Sequence, residues 1–257
     1  MKIICSLVML CLMSVGAYAQ AFQIVNGDTV DRVDTHGMKQ DRWIVPGQFE
    51  TRGNYKNNVK EGQWLTYFGG DYLRLVENYD NGKLSGVAIE LDRWGRMISE
   101  GYYTNGILNG TFKTFTSDGF FKSYAQYKNG KLNGVKRTYY EDTPDRIMEE
   151  AFYTNDIKNG ISKWFTQEGK TVAEYNYVSG LLDGDAKTFY PSNRLRLVEH
   201  YIKNQRQGEA IEYFESGVIK SRGMYKNDLK DGAWINYDEK QGITSKENYK
   251  AGVLLKS

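Results

Sequence analysis

Tyr127-Lys128-Asn129-Gly130-Lys131-Leu132-Asn133-Gly134-Val135-Lys136-Arg137-Thr138-Tyr139 holds in miniature what most of the chain repeats. A tyrosine is followed by a short Asn/Gly segment, a second glycine stands seven residues on, and an aromatic ring comes five residues after that. Working outward, the leading tyrosine recurs as Tyr55, Tyr79, Tyr103, Tyr127, Tyr153, Tyr177, Tyr201, Tyr225 and Tyr249. The glycine recurs as Gly62, Gly86, Gly110, Gly134, Gly160, Gly184, Gly208 and Gly232. The apolar anchor recurs as Tyr67, Leu91, Phe115, Tyr139, Phe165, Phe189, Tyr213 and Tyr237. A fixed period of this length marks a repeat architecture, in which each unit completes its core only against its neighbours.

Within a unit the hydrophobic period is two. Six residues before the tyrosine stands Leu73, Met97, Phe121, Ile147, Leu195, Ile219 or Ile243, and two before it small residues such as Gly101, Ala125, Ala151 and Gly223 are common. That alternation predicts a strand ending at the tyrosine and another beginning after the glycine. The Asn/Gly/Asp-rich segment typified by Asn129 to Gly134 predicts the first turn. A second turn is predicted eight residues before each tyrosine, at Gly47, Asp71, Gly95, Gly119, Asp145, Gly169, Asn193, Gly217 and Gln241. On this reading the repeated glycines serve backbone geometry rather than ligand contact. The one lengthened unit, through Glu141-Asp142-Thr143-Pro144-Asp145-Arg146, reads as a wider loop at the edge that does not divide the chain.

The expected fold is all-β: an elongated, twisted antiparallel β-meander of stacked 24-residue hairpins in a single layer, with about eighteen strands at two per unit. The expected organisation is a cleaved signal peptide over 1–19, an N-terminal strand and degenerate capping repeat over 20–54, eight hairpin repeats over 55–248 and a partial repeat over 249–257. Asp41 takes the glycine slot in the degenerate copy. The leader reading rests on Lys2, the apolar run Ile3 to Gly16 and the small-x-small site Ala17-Tyr18-Ala19. Both cysteines, Cys5 and Cys11, fall inside it, so the mature chain is expected to be free of disulfides, and Leu10 before Cys11 argues against lipidation. Export to the periplasm or exterior follows.

Tyr-x-Asn-Gly-x-x-x-Gly with a second aromatic resembles the MORN-repeat family, in particular its bacterial MORN-variant, antitoxin-like branch; the likeness covers about residues 34–257. The resemblance implies a meander of hairpins used for protein interaction, scaffolding or lipid contact.

The chain carries 34 basic and 32 acidic side chains, and the basic Lys2 lies in the expected leader. That near-neutral balance excludes the basic excess of a nucleic-acid binder. His36 and His200 are the only histidines, neither at metal-ligand spacing, and no nucleophile elbow or phosphate loop is present. No catalytic residue, metal ligand or cofactor is therefore assigned. The candidate binding face is a set of rings: Trp43, Trp64, Phe112 and Trp234 stand two residues after the glycine slot and Trp164 four after it, opposite the position-five anchors. If open, such rings would grip a peptide, a sugar or a lipid headgroup; packing on the sheet is the plainer alternative and has the stronger claim. The expected function is a non-catalytic binding or scaffold surface for a protein partner in the bacterial envelope or exterior. A wall or surface glycan is the second expectation and a membrane surface the third.

Overall fold

The structure is a computed structural model that describes residues 20–255. The expected signal peptide, 1–19, and residues 256–257 lie outside the described residues. The chain is all-β, an antiparallel meander of hairpins, and among the described residues there is no helix.

The described residues form two compact units, 20–120 with Tyr127–Gly130 and Phe121–Gln126 with 131–255. The first contains β1 (Ala21–Val25), β2 (Asp28–Val33), β3 (Lys39–Val45), β4 (Glu50–Lys56), β5 (Val59–Tyr67), β6 (Leu73–Asp80), β7 (Lys83–Leu84), β8 (Gly86–Leu91), β9 (Met97–Thr104) and β10 (Ile107–Phe115). Residues of β11 (Phe121–Lys128) belong to both. The second contains β12 (Lys131–Tyr139), β13 (Ile147–Thr154), β14 (Ile157–Lys158), β15 (Gly160–Phe165), β16 (Thr171–Val178), β17 (Leu181–Phe189), β18 (Leu195–Ile202), β19 (Gln205–Tyr213), β20 (Ile219–Lys226), β21 (Leu229–Tyr237), β22 (Ile243–Lys250) and β23 (Val253–Leu255). The insertion at Glu141 to Arg146 is a loop inside the second unit, closed by the Tyr140 N–H on the Arg146 carbonyl at 2.9 Å. The segment expected to hold one N-terminal strand before the degenerate copy holds a hairpin, β1–β2, turned at Asn26-Gly27.

The first turn is shorter than the sequence suggests. Only two residues carry it, such as Asn81-Gly82 (φ 48° and 76°), and both are left-handed. That is the signature of a type I′ turn, whose twist matches that of the flanking strands. The following glycine is not part of the turn. Gly110 (φ 137°) and Gly184 (φ 108°) lie inside strands, where the pairing register slips by two residues, and the same slip recurs beside Gly62 and Gly208. These glycines sit at β-bulges, a backbone state open to Gly and costly for a β-carbon. Asp41, also left-handed at φ 61°, pairs with Tyr55 as Gly62 pairs with Tyr79. In the second turn seven of the nine expected positions are left-handed, including Gln241 (φ 65°). Gly47 is not, and Gly70 takes the role expected of Asp71.

Adjacent hairpins are locked together at their turns. The second turn residue donates its N–H to the strand before it, as Gly82 to Lys60 (2.9 Å), Gly106 to Leu84 (2.7 Å), Gly180 to Lys158 (2.8 Å) and Gly252 to Lys230 (2.8 Å). The anchors five residues past the glycine pair with the apolar residue six before the next tyrosine, as Tyr67 with Leu73, Phe189 with Leu195 and Tyr213 with Ile219. Each hairpin alone is marginal, and cross-strand pairing of this kind supplies its stability.

Candidate functional site

Alternation along each strand creates two faces. The repeat tyrosines share one with the residues two before them and two after the glycine; this is the more buried face, containing Trp64, Thr66, Ala125, Ala151, Ser162, Ala173, Ala186, Ala210 and Trp234. The candidate rings belong to it. Trp64 is 1% and Trp234 8% exposed, while Trp43, Phe112 and Trp164 are half-buried.

These rings are held by packing on three sides. The indole of Trp64 lies directly on Gly53 and that of Trp234 on Gly223, where an added β-carbon would fall 2.2 Å from the ring in both cases. At Gly101 it would fall 2.9 Å from Phe112. Size is reciprocal between the two slots: where the slot before the tyrosine is large, as at Tyr175 or Glu199, its cross-strand neighbour is Ala186 or Ala210. Three of the indole N–H groups are satisfied internally, Trp43 by the Gln40 carbonyl (3.0 Å), Trp64 by that of Asn54 (3.1 Å) and Trp234 by that of Met224 (3.1 Å).

The third side is a lysine. Lys39 lies 4.6 Å from the ring centre of Trp43 and 4.9 Å from Tyr55; Lys60 lies 4.3 Å from Trp64 and 4.5 Å from Tyr79. Lys158 lies between Trp164 (5.3 Å) and Tyr177 (5.2 Å), and Lys230 between Trp234 (4.3 Å) and Tyr249 (4.9 Å). A cation over a ring face is an attractive contact that strengthens with desolvation. Burial pulls the Lys60 ammonium below its ordinary pKa, against the opposing charge of Glu77. At Lys158 burial also pulls down, but the hydrogen bond and charge of Glu149, 2.8 Å away, outweigh it and raise the pKa. Each repeat tryptophan thus already has a cation of this chain on it. The lysines were missed in the sequence although they were readable there, since three of them precede their tryptophan by four residues.

The other face is more open. In the second unit its centre line is a ladder of alternating charge: Arg137 pairs with Glu150, Glu150 with Lys163, Lys163 with Glu174 and Glu174 with Lys187. Ion pairs close at 2.6 Å between Arg137 and Glu150 and at 2.7 Å between Lys163 and Glu174. On the same face Met148, Phe152, Ile161 and Val172 stand at least 40% exposed. A shallow hollow of about 260 Å³ is lined by Ile161, Glu174, Asn176, Asp185 and Lys187. His200 is exposed beside Asp185, with Nδ1 3.0 Å from its carboxylate, and His36 lies in the exposed Asp34–Met38 turn. In the first unit Lys113 and Glu100 form a pair of the same type at 2.7 Å.

The remaining tryptophan, Trp94, is outside the repeat slots and is 77% exposed. It sits in the turn closed by Asp92 and Arg96, whose Arg93 lines a hollow of about 370 Å³ with Phe49, Phe68, Gly69 and Tyr72. Nothing in the repeat pattern singles it out, because its exposure comes from being at a turn.

No known protein family matches this chain, and no curated protein matches it.

Proposed function

We propose that this is a non-catalytic, exported binding protein of the bacterial envelope or exterior that engages a protein partner through the open face of its second unit. The observation that carries this reading is the exposed set Met148, Phe152, Ile161 and Val172 around the Arg137–Lys187 charge ladder. Apolar side chains among fixed charges of both signs suit a protein surface, where charge order selects register and the apolar groups supply affinity. The ladder's side chains are half-buried and still reach solvent, and pairs screened by water contribute little each to folding, so their alternation is suited to recognition as well as to stability. The likeness to bacterial MORN-variant repeats agrees with a binding role and belongs to the same proposal, as does the leader over 1–19. The test is affinity capture from envelope extract with the wild-type chain and with Phe152→Glu/Ile161→Glu. A partner enriched by the wild type and lost with the double variant supports the reading. Equal recovery by both, or recovery by neither, ends it.

A second reading, a surface glycan, is favoured by Trp94 and Tyr72, flat rings each open to solvent at its own turn. Sugars stack on such rings. Retention on insoluble glycan that disappears with Trp94→Ala is the outcome this reading requires.

A further inference from the structure

Two stretches of the chain repeat each other more closely than the hairpin period requires. Leu73-Arg74-Leu75-Val76-Glu77 is identical to Leu195-Arg196-Leu197-Val198-Glu199, and Ala88-Ile89-Glu90 to Ala210-Ile211-Glu212. Their pairings correspond as well: Val76 with Ile89 and Val198 with Ile211, Ala88 with Gly101 and Ala210 with Gly223. The two copies differ in what fills them.

In the later copy a guanidinium completes the site. Arg206 stacks on Tyr225 at 4.1 Å from the ring centre, its Nη1 lies 3.5 Å from Glu199, and Asp228 holds its Nε at 3.5 Å. Trp234 covers Gly223 beside it. Glu199 in turn accepts from the Tyr201 hydroxyl at 3.0 Å.

In the earlier copy the carboxylate, the ring and the small residues are all present. Glu77 accepts from the Tyr79 hydroxyl at 3.3 Å, and Tyr103 stands where Tyr225 stands. The phenol pKa of Tyr103 is raised by burial first and by the charge of Glu77 second, which places the two groups in one field. The guanidinium, however, is replaced by Leu84, Asp228 by Gly106 and Trp234 by the smaller Phe112. A hollow of about 150 Å³ results, lined by Leu75, Glu77, Leu84, Gly101, Tyr103 and Phe112 among others. Glu77 makes no ion pair among the described residues. The nearby Lys60 is engaged over the rings of Trp64 and Tyr79, and the second carboxylate at the hollow, Glu90, is already met by Arg74 at 3.6 Å. Space at Gly106 is open, with no atom within 4 Å of where a side chain would begin.

We propose that this hollow binds a guanidinium group, the arginine side chain of a protein partner, stacked on Tyr103 and paired with Glu77 as Arg206 is with Tyr225 and Glu199. A planar guanidinium suits this pair because it stacks on a ring and donates to a carboxylate at once, which an ammonium does less well. Taking the guanidinium from a protein rests only on the reading of this chain as a protein-binding one, because the hollow lies on the tyrosine face of the first unit and is a contact separate from the open face of the second; the site itself rests on the internal comparison.

The experiment titrates N-acetyl-arginine amide into the full chain and follows backbone amides by two-dimensional NMR. Saturable shifts centred on Ala88, Gly101 and Tyr103 are expected, at least tenfold weaker with Glu77→Gln and abolished by Leu84→Arg, which supplies the guanidinium internally. Glu199→Gln should leave the titration unchanged, and N-acetyl-lysine amide should bind more weakly. Absence of saturation, indifference to both Glu77→Gln and Leu84→Arg, or equal binding of the lysine amide would each overturn the site. Binding of the arginine amide together with partner capture that survives Leu84→Arg would overturn the partner's arginine as its source.

Discussion

Gly53 and Trp64 show how one residue sets another across the ladder. Gly53 is buried under the indole with no room for a β-carbon, and its backbone is not left-handed, so Gly53→Ala acts by steric conflict alone. It should cost about 1–3 kcal/mol, and Trp64→Ala about 3–5 kcal/mol. The double variant should lose clearly less than their sum, because the alanine methyl then enters space the indole has left. Urea unfolding of the four proteins measures this, and strict additivity would refute the contact. Tyrosine ionisation is a second residue-scale reading. Burial, then the charges of Glu77 and Glu199, push Tyr79 and Tyr201 up to about 12 from the ordinary phenol value of 10.0. A phenol whose folded pKa is raised stabilises the fold fully below its unfolded value and loses that contribution as pH climbs through the folded one. Stability should therefore fall between about pH 10 and about pH 12. Phenolate absorbance should show these two tyrosines titrating last, and a lag shortened, though not removed, by Glu77→Gln and Glu199→Gln would tie its smaller part to those charges.

At the scale of the element, the hairpin is governed by the two left-handed residues of its turn. Most copies place Asn, Asp or Gly there, but Lys203 (φ 49°) and Ala251 (φ 49°) hold the same conformation without a side chain suited to it. The left-handed state costs an ordinary residue roughly 1–2 kcal/mol, and Asn relieves part of that through local hydrogen bonding. Lys203→Asn should thus raise stability by up to about 1 kcal/mol, seen as a higher urea midpoint at unchanged slope. The bulge glycine answers to a different rule. Gly184 combines φ 108° with a neighbour, Asn176 Nδ2, 2.7 Å from an added β-carbon, so Gly184→Ala should destabilise.

At the scale of the whole molecule, contacts within each unit run between strands adjacent in the chain, so stability should be nearly a sum of local terms. Gly53→Ala should speed amide hydrogen exchange in the flanking strands β4 to β6 and leave β19 to β22 at wild-type protection. Uniform loss of protection along the chain would show a single cooperative unit instead.

How much of this was legible in the residues follows from which interactions are local. Turn chemistry, the period of two and the tyrosine spacing depend on neighbours in sequence, so strand order and the left-handed slot at Asp41 could be read directly. The length of the turn and the bulge at Gly110 or Gly184 could not, because a register slip exists only once two strands are paired. The same holds for the rings. Sequence places Trp64 and Trp234 on one face, with Lys60 and Lys230 four residues before them on the same strands, but whether that face is open depends also on Gly53 and Gly223, which only pairing brings beneath the rings. Tertiary structure alone decided that these indoles are packed, that Trp94 is the exposed one, and that Glu77 faces a hollow where its counterpart Glu199 faces an arginine.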